Sequence, residues 1–288
     1  VANIKDLKKK IKSTKGTLKI TSAMKLVSAA KLAKAQQAIL NSRPFSYELS
    51  DTIKTISALT QDYSHPYFQE SKNNKTVLLV ISSNKGLCGG YNAQIIKAVK
   101  KYLKETDEDV KVYFIGKKAK DILETEVNFG KIYRFEKFEP SYLEIKQIGQ
   151  ELANLFVSGE VGKVKVAFNF FKSAILFEPT ISQVLPMAFP EGKREELQNK
   201  FPFDFKYDPS PEEILEEVVP ESYTTSLWSC LLDALASEHG SRMAAMDNAV
   251  SNSKDMIKRL TLKMNKLRQA SITTELIEVV SGAESLKG

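Results

Sequence analysis

The chain has 288 residues, 42% of them hydrophobic and 27% charged, with a formal net charge of +7. That balance is ordinary for a globular protein of one or two domains. No run of about eighteen apolar residues occurs, so no transmembrane helix is expected. The opening VANIKDLKKKIKS is basic but lacks the apolar block of a signal peptide, and reads as an amphipathic helix. Cys88 and Cys230 stand far apart without metal-ligand spacing, which argues against a disulfide framework or a zinc site. With only His65 and His239 present, an imidazole-based site has little material.

In chain order, the first element is a long helix. Ile4, Leu7, Ile11, Leu18, Leu32, Ala35 and Ile39 fall on an alternating three–four ladder, the coiled-coil period. Thr14, Thr21, Lys25 and Ser28 occupy the intervening rungs. Pro44 would cost a helix interior about 3 kcal/mol, so a kink or break is expected near Arg43. The helical pattern resumes in FSYELSDTIKTISAL and stops before Tyr63.

A different kind of sequence follows. Val77–Ser82 is a short all-apolar run, as a buried parallel strand requires. A helix is expected over roughly Asn92–Lys104, a strand from Val110, and helices over 117–125 and 141–158. Lys163–Phe171 and Ile181–Met187 complete the strands. Strands alternating with helices predict an open α/β domain with helices on both faces. The loop Ser83–Tyr91, SNKGLCGGY, sits where doubly wound folds bind phosphates. It is not a P-loop, because Lys85 precedes Gly86, nor a GxGxxG loop, and the second strand ends at Gly116 rather than near a ribose-binding acid. Tight-turn glycines are the reading preferred over nucleotide binding. Residues 190–210, with Pro190, Gly192, Pro202 and Pro209, read as a loop-rich return.

From Pro211 the pattern is helical to near the end of the chain, and roughly 75 residues would span on the order of 110 Å. Val250, Ile257, Leu260, Met264, Leu267, Ala270, Ile277 and Val280 keep one stripe on one face. Two such helices can bury their stripes on each other as an antiparallel pair, and a helix this long must project from a compact domain. The expected divisions are an N-terminal shaft helix over 1–62, an α/β domain over 75–190, the return segment 191–210 and a C-terminal shaft helix over 211–288. Charge is unevenly placed. Residues 1–35 hold ten lysines against Asp6, and Lys254, Lys258, Arg259, Lys263, Lys266 and Arg268 face only Asp255, whereas residues 191–221 carry ten acids against four bases. Separate ends imply separate electrostatic partners. Neither basic block contains an aromatic residue to stack on bases, which favours an acidic protein surface over nucleic acid.

Five blocks, in order, resemble the γ subunit of F-type ATP synthases: KITSAMKLVSAAKLAKAQ (Lys19–Gln36), SNKGLCGGYN, PTISQVLP (Pro179–Pro186), SRMAAMDNA (Ser241–Ala249) and ITTELIEVVSGAES. In the last, Ile272, Thr273, Glu275, Glu278, Gly282 and Ala283 match the family's spacing. The resemblance implies an α/β fold: an antiparallel coiled coil of long N- and C-terminal helices with an inserted open, Rossmann-like domain. It implies a central rotor shaft inside a ring of α and β subunits, with the ε subunit and the membrane c-ring below, coupling ion flow to ATP synthesis or hydrolysis. It implies no bond chemistry, cofactor or metal on this chain, no nucleic-acid partner, and membrane contact only through the c-ring. By the same resemblance, Met24, Lys25, Arg242, Arg268, Gln269, Thr273, Glu275 and Glu278 meet the α/β ring, and Tyr207 and Asp208 meet the c-ring or ε. A place on the cytoplasmic face of a bacterial inner membrane is expected. The alternative from the residues alone is a coiled-coil protein that grips nucleic acid through its two basic blocks.

Overall fold

The computed structural model describes residues 4–59, 65–135, 140–188 and 207–285. They fall into two compact units, Val1–Ala29 with Arg242–Gly288, and Ala30–Ser241. Helix α1 (Ile4–Leu59) and helix α5 (Pro211–Ser285) contribute to both.

In the first unit the two helices run antiparallel. Lys25 Nζ meets Asp247 Oδ1 at 2.6 Å, and Thr14 Oγ1 approaches Met256 Sδ at 3.9 Å, so the partner number rises on α5 as it falls on α1. The three–four ladder is the buried face, polar rungs included: Leu7, Thr21 and Ser28 are buried, and Ile4, Ile11, Thr14, Leu18 and Lys25 are half-buried. A hydroxyl inside such a seam needs a partner. Thr14 and Thr21 find one in their own helix, donating to the carbonyls of Lys10 (2.9 Å) and Thr17 (3.0 Å).

In the second unit the ladder continues through Leu32, Ala35 and Ile39 to Ile53 and Ile56, the last two packed on Leu215 and Val219 of α5. Of the kink or break expected near Arg43, the break does not occur, since α1 runs on through Pro44. Pro44 and Leu40, whose carbonyl the proline leaves without its helical donor, are both exposed. Water can therefore take the freed acceptor while the opposite face stays buried. Pro220 is likewise inside α5.

The sheet of this unit has the order β3-β2-β1-β4-β5. β1 (Lys75–Ile81), β2 (Asp109–Ile115), β3 (Asn128–Tyr133) and β4 (Lys163–Phe171) are parallel, and β5 (Phe177–Leu185) pairs antiparallel with β4. Period-two alternation splits β1 between two cores. Leu78 and Val80 pack under α2 (Tyr91–Glu105) and α3 (Lys117–Leu123), with Ile95, Val99 and Phe114. Val77, Leu79 and Ile81 pack on the other face with Ile148 and Leu152 of α4 (Tyr142–Val157) and Tyr223, Leu227 and Leu231 of α5. The long C-terminal helix is thus part of the domain core. Strand β3 has no counterpart in the sequence reading, and β5 begins four residues before the expected Ile181. Thr60–Ser64 and residues 189–206, including most of the expected return segment, lie outside the described residues.

The amino-terminal end of the sheet is tied by charge. Glu108, just before β2, accepts from Thr76 Oγ1 (3.0 Å), Lys163 Nζ (2.7 Å) and Lys165 Nζ (2.9 Å), and from the Tyr102 hydroxyl. Burial alone would raise its carboxyl, but these donors outweigh it and hold the group at about 2.

Candidate functional site

The loop after β1 is the place where an α/β sheet would hold a phosphate, and here it is occupied by the chain itself. Ser83 Oγ donates to the Lys85 carbonyl (2.7 Å) and accepts from Asn92 Nδ2 (2.8 Å), which closes the turn. Gly116 ends β2 with φ +92, and a Cβ there would stand 2.0 Å from the Ser82 carbonyl oxygen. That glycine is needed for close packing against β1, not for a ligand. Leu231, Ala234, Leu235, Glu238 and His239 of α5 lie over the carboxyl ends of β1 and β2, where about 30 Å³ of cavity remains. That is room for about one water and none for a nucleotide. Cys88 and Cys230 are both free and buried.

The surfaces that could meet partners are on the two helices. Met24 and Lys25 are half-buried in the first unit, and Arg242 is buried. Lys25 forms its ion pair with Asp247 in a half-exposed setting, 40% and 59% accessible. Exposed pairs of this kind contribute about 0–1 kcal/mol, so an incoming carboxylate can displace Asp247.

Farther along α5 the burial stops. Every described side chain from Arg268 to Glu284 is exposed, including Gln269, Thr273, Glu275 and Glu278. Thr273 Oγ1 donates to the Gln269 carbonyl (3.0 Å) and Ser271 Oγ to Glu275 Oε1 (3.2 Å), so the visible bonds here are within the helix. Ile272, Leu276, Ile277, Val279 and Val280 are 49–70% exposed. The helix register explains why. With Lys25 opposite Asp247 and Thr14 opposite Met256, Ile4 falls opposite Leu267. Val250, Ile257, Leu260, Met264 and Leu267 of the expected stripe are half-buried as the ladder requires, whereas Ala270, Ile277 and Val280 are exposed. Past Leu267, no described residue of α1 stands opposite to cover them. A contiguous apolar surface of this kind is a mark of a binding site.

At the other end of α5, Tyr207 is half-buried against the Ile53–Leu215 cluster and Asp208 is exposed. Ser210 caps the helix, its Oγ accepting from the Glu213 amide at 3.2 Å.

A polar row on α5 went unnoticed in the sequence. Asp233, Ser237 and Ser241 recur every four residues on one helix face, and that spacing was the available signal. Ser237 Oγ donates to the Asn169 carbonyl (3.0 Å) and Ser241 Oγ to the Cys88 carbonyl (2.6 Å). The Asp233 carboxylate faces the Phe171 amide, and its Oδ1 has no hydrogen-bond partner. Burial pushes the Asp233 carboxyl up from 3.8 to about 6, against the opposing pull of Arg43 and the Phe171 amide. Because the folded value is the higher one, the stability linked to this group is full below the unfolded value of 3.8 and is lost as pH rises through about 6. Ionisation at neutral pH therefore costs about 3 kcal/mol. Asp233→Asn keeps the acceptor and removes the charge, but leaves an amide NH₂ without an acceptor at a cost of about 1–2 kcal/mol. A net gain of about 1–2 kcal/mol is expected near pH 8, gone by about pH 4. Thermal melts across that range check it, and a variant no more stable than its parent at pH 8 would refute the assignment.

The ATP synthase family model matches residues 3–286. An ATP synthase gamma chain of Bdellovibrio bacteriovorus is 40% identical over 299 residues, and one of Geobacter metallireducens 38% over 291, each alignment covering 100% of both chains. Among solved structures, a chain of the central stalk and c-ring of the Tetrahymena thermophila mitochondrial ATP synthase aligns with a TM-score of 0.60 at 24% identity, covering 80% of this chain and 99% of its own. One from the rotor of the Euglena gracilis mitochondrial ATP synthase aligns with a TM-score of 0.61 at 19% identity, covering 93% and 98%. At these identities the structural likeness speaks for the fold.

Proposed function

The chain belongs to the γ-subunit family of F-type ATP synthases, and from that premise we propose that it is the central rotor shaft of such an enzyme. It carries torque between a membrane c-ring and the catalytic β subunits, performing no bond chemistry itself. The observation that carries this reading is the end of α5, where Ile272–Val280 are exposed and no described residue of α1 stands opposite them. A ring of α and β subunits supplies the cover that α1 does not. The scarcity of charge there, Glu275 and Glu278 alone among residues 269–283, suits a shaft that must turn in its sleeve without fixed ion pairs. In energetic terms the shaft is a ligand whose affinity for each conformation of a β subunit changes with its angle. Only such differential binding can shift a conformational population.

On this reading, residues 1–62 and 211–288 form the shaft and 75–190 the domain below the ring, beside the ε subunit. Met24, Lys25 and Arg242 form the collar that meets acidic loops of the β subunits, with the exchangeable Lys25–Asp247 pair as its contact point. Arg268, Gln269, Thr273, Glu275 and Glu278 meet the α and β subunits nearer the tip, and Asp208 with Tyr207 meets the c-ring or ε. The enzyme works at the cytoplasmic face of a bacterial inner membrane, this chain bound peripherally through the c-ring. The nucleic-acid reading finds no support among the relatives.

Co-expression of the tagged chain with its α and β subunits tests the proposal. A complex with a single copy of this chain per α/β ring is expected, and its ATP hydrolysis should drive ion uptake once the c-ring is present. A monodisperse monomer with no affinity for such partners would overturn it.

A further inference from the structure

A shaft must be held by its domain as well as guided by its sleeve, and α5 meets the sheet in two unlike ways. Most of the contact is apolar, through residues such as Tyr223, Leu227 and Leu231. Apolar contact is non-directional and resists the turning of a helix about its axis only weakly. The polar row is different. β1 pairs with β4 no farther than Val80 and Ala167. Past that point the Asn169 carbonyl of β4 accepts from Ser237 of α5 in place of β1, and one helical turn earlier Asp233 faces the Phe171 amide. Asn169 also ties β4 to the start of α2, its Nδ2 donating to the Tyr91 carbonyl at 3.2 Å. Ser241 extends the row to the Cys88 carbonyl in the loop after β1. On the same face, Gly240 lets the β4–β5 turn approach so closely that a Cβ would stand 2.7 Å from the Ala174 carbonyl oxygen.

We propose that Asp233, Ser237, Gly240 and Ser241 form the joint through which the α/β domain holds α5 against turning about its own axis. The inference rests on the rotor reading and makes these four positioning residues for torque transfer. Each serine hydrogen bond fixes one point of the helix surface to a backbone carbonyl, one in β4 and one in the loop after β1, within a few tenths of an ångström of ideal distance. Rotation of the helix would have to break all of them at once and drive the helix surface at Gly240 against the Ala174 carbonyl. Since α5 is one helix from Pro211 to Ser285, a turn imposed on the domain passes along it by the helix's own hydrogen bonds.

The test uses the assembled enzyme in membrane vesicles carrying Ser237→Ala with Ser241→Ala. With both serine bonds removed, ions taken up per ATP hydrolysed against an opposing gradient are expected to fall at least about twofold. Hydrolysis by the head stripped from the membrane, where the shaft turns without load, is expected to be unchanged. Ser241→Thr, which keeps the hydroxyl, should pump as the parent does. A double variant with the parent's ion-to-ATP ratio at every load overturns the joint. Should it assemble poorly, the two single variants carry the same measurement, and parental ratios in both overturn it equally. A failure of the rotor reading itself would show separately, as ion uptake by the unvaried complex that does not depend on this chain.

Discussion

Glu108→Ala is expected to destabilise the fold by about 2–4 kcal/mol, somewhat less than the cost of leaving a fully buried ion pair with one partner missing, because the cluster is half-buried. The reason is what remains. Lys165 is only 16% exposed and Lys163 38%, and both direct their ammonium groups at the one carboxylate that is 12% exposed. Without it, two like charges share a poorly solvated end of the sheet, and the Tyr102 and Thr76 hydroxyls lose their acceptor. Burial by itself would lower Lys165, yet its pairing with Glu108 and Tyr102 raises it. The two partners' shifts therefore agree that the charged pair is the stable form. The pH dependence follows from the carboxyl being held below its ordinary 4.5 at about 2. The stabilisation is full above 4.5 and is lost as pH falls through about 2. Urea unfolding of parent and variant at neutral pH and at about pH 3 measures both claims: the difference should be several kcal/mol at the first and clearly smaller at the second. Coincident unfolding curves at neutral pH would show that the network contributes nothing.

The coiled-coil ladder was legible because its period is short and its polar rungs keep the register: Thr21 and Ser28 are buried where the spacing puts them. The start of α5 at Pro211 was legible too, because proline at a helix start needs no donor. What failed were inferences in which tertiary context outweighs a local rule. Pro44 is tolerated because its cost falls on a hydrated face. β3, with Gly130 in its middle and Lys131 directed at Glu151, is an edge strand whose neighbour β2 dictates its conformation. The hairpin that starts β5 at Phe177 includes Pro179, which by itself argues against a strand. At the candidate site, residue types marked the tip, but its exposure depends on the register of α1 against α5, which only the paired helices show. The polar row was missed for the opposite reason: on a helix, serine and aspartate spaced by four look like solvent-facing residues until a sheet is placed against them.

Removing residues 278–288 is expected to leave an assembled complex that hydrolyses ATP, whereas removing everything beyond Lys263 should abolish or nearly abolish activity. The two cuts differ in what α1 loses. The residues described within the shorter segment are exposed in the first unit, and the helix register puts no described residue of α1 opposite them, so their removal uncovers nothing in this chain. Within the complex, Val279 and Val280 offer a sleeve only non-directional apolar contact, and Glu278 is a single exposed charge. The longer cut removes Met264 and Leu267, half-buried residues that stand opposite Leu7 and Ile4 in the antiparallel register. Leu7 is among the few fully buried apolar residues of this unit, and uncovering it with its neighbours costs about 2–3 kcal/mol. A two-helix unit with a partly polar seam has little stability to lose, so the paired ends of both helices should fray. The same cut takes away Arg268, Gln269 and Thr273, the residues proposed to meet the ring. Stepwise truncation with ATPase assays on purified complexes separates the cases. Complete loss of activity on removing 278–288 alone would mean that the tip is a fixed bearing with specific contacts, and the guidance by a loosely gripping sleeve would have to be abandoned.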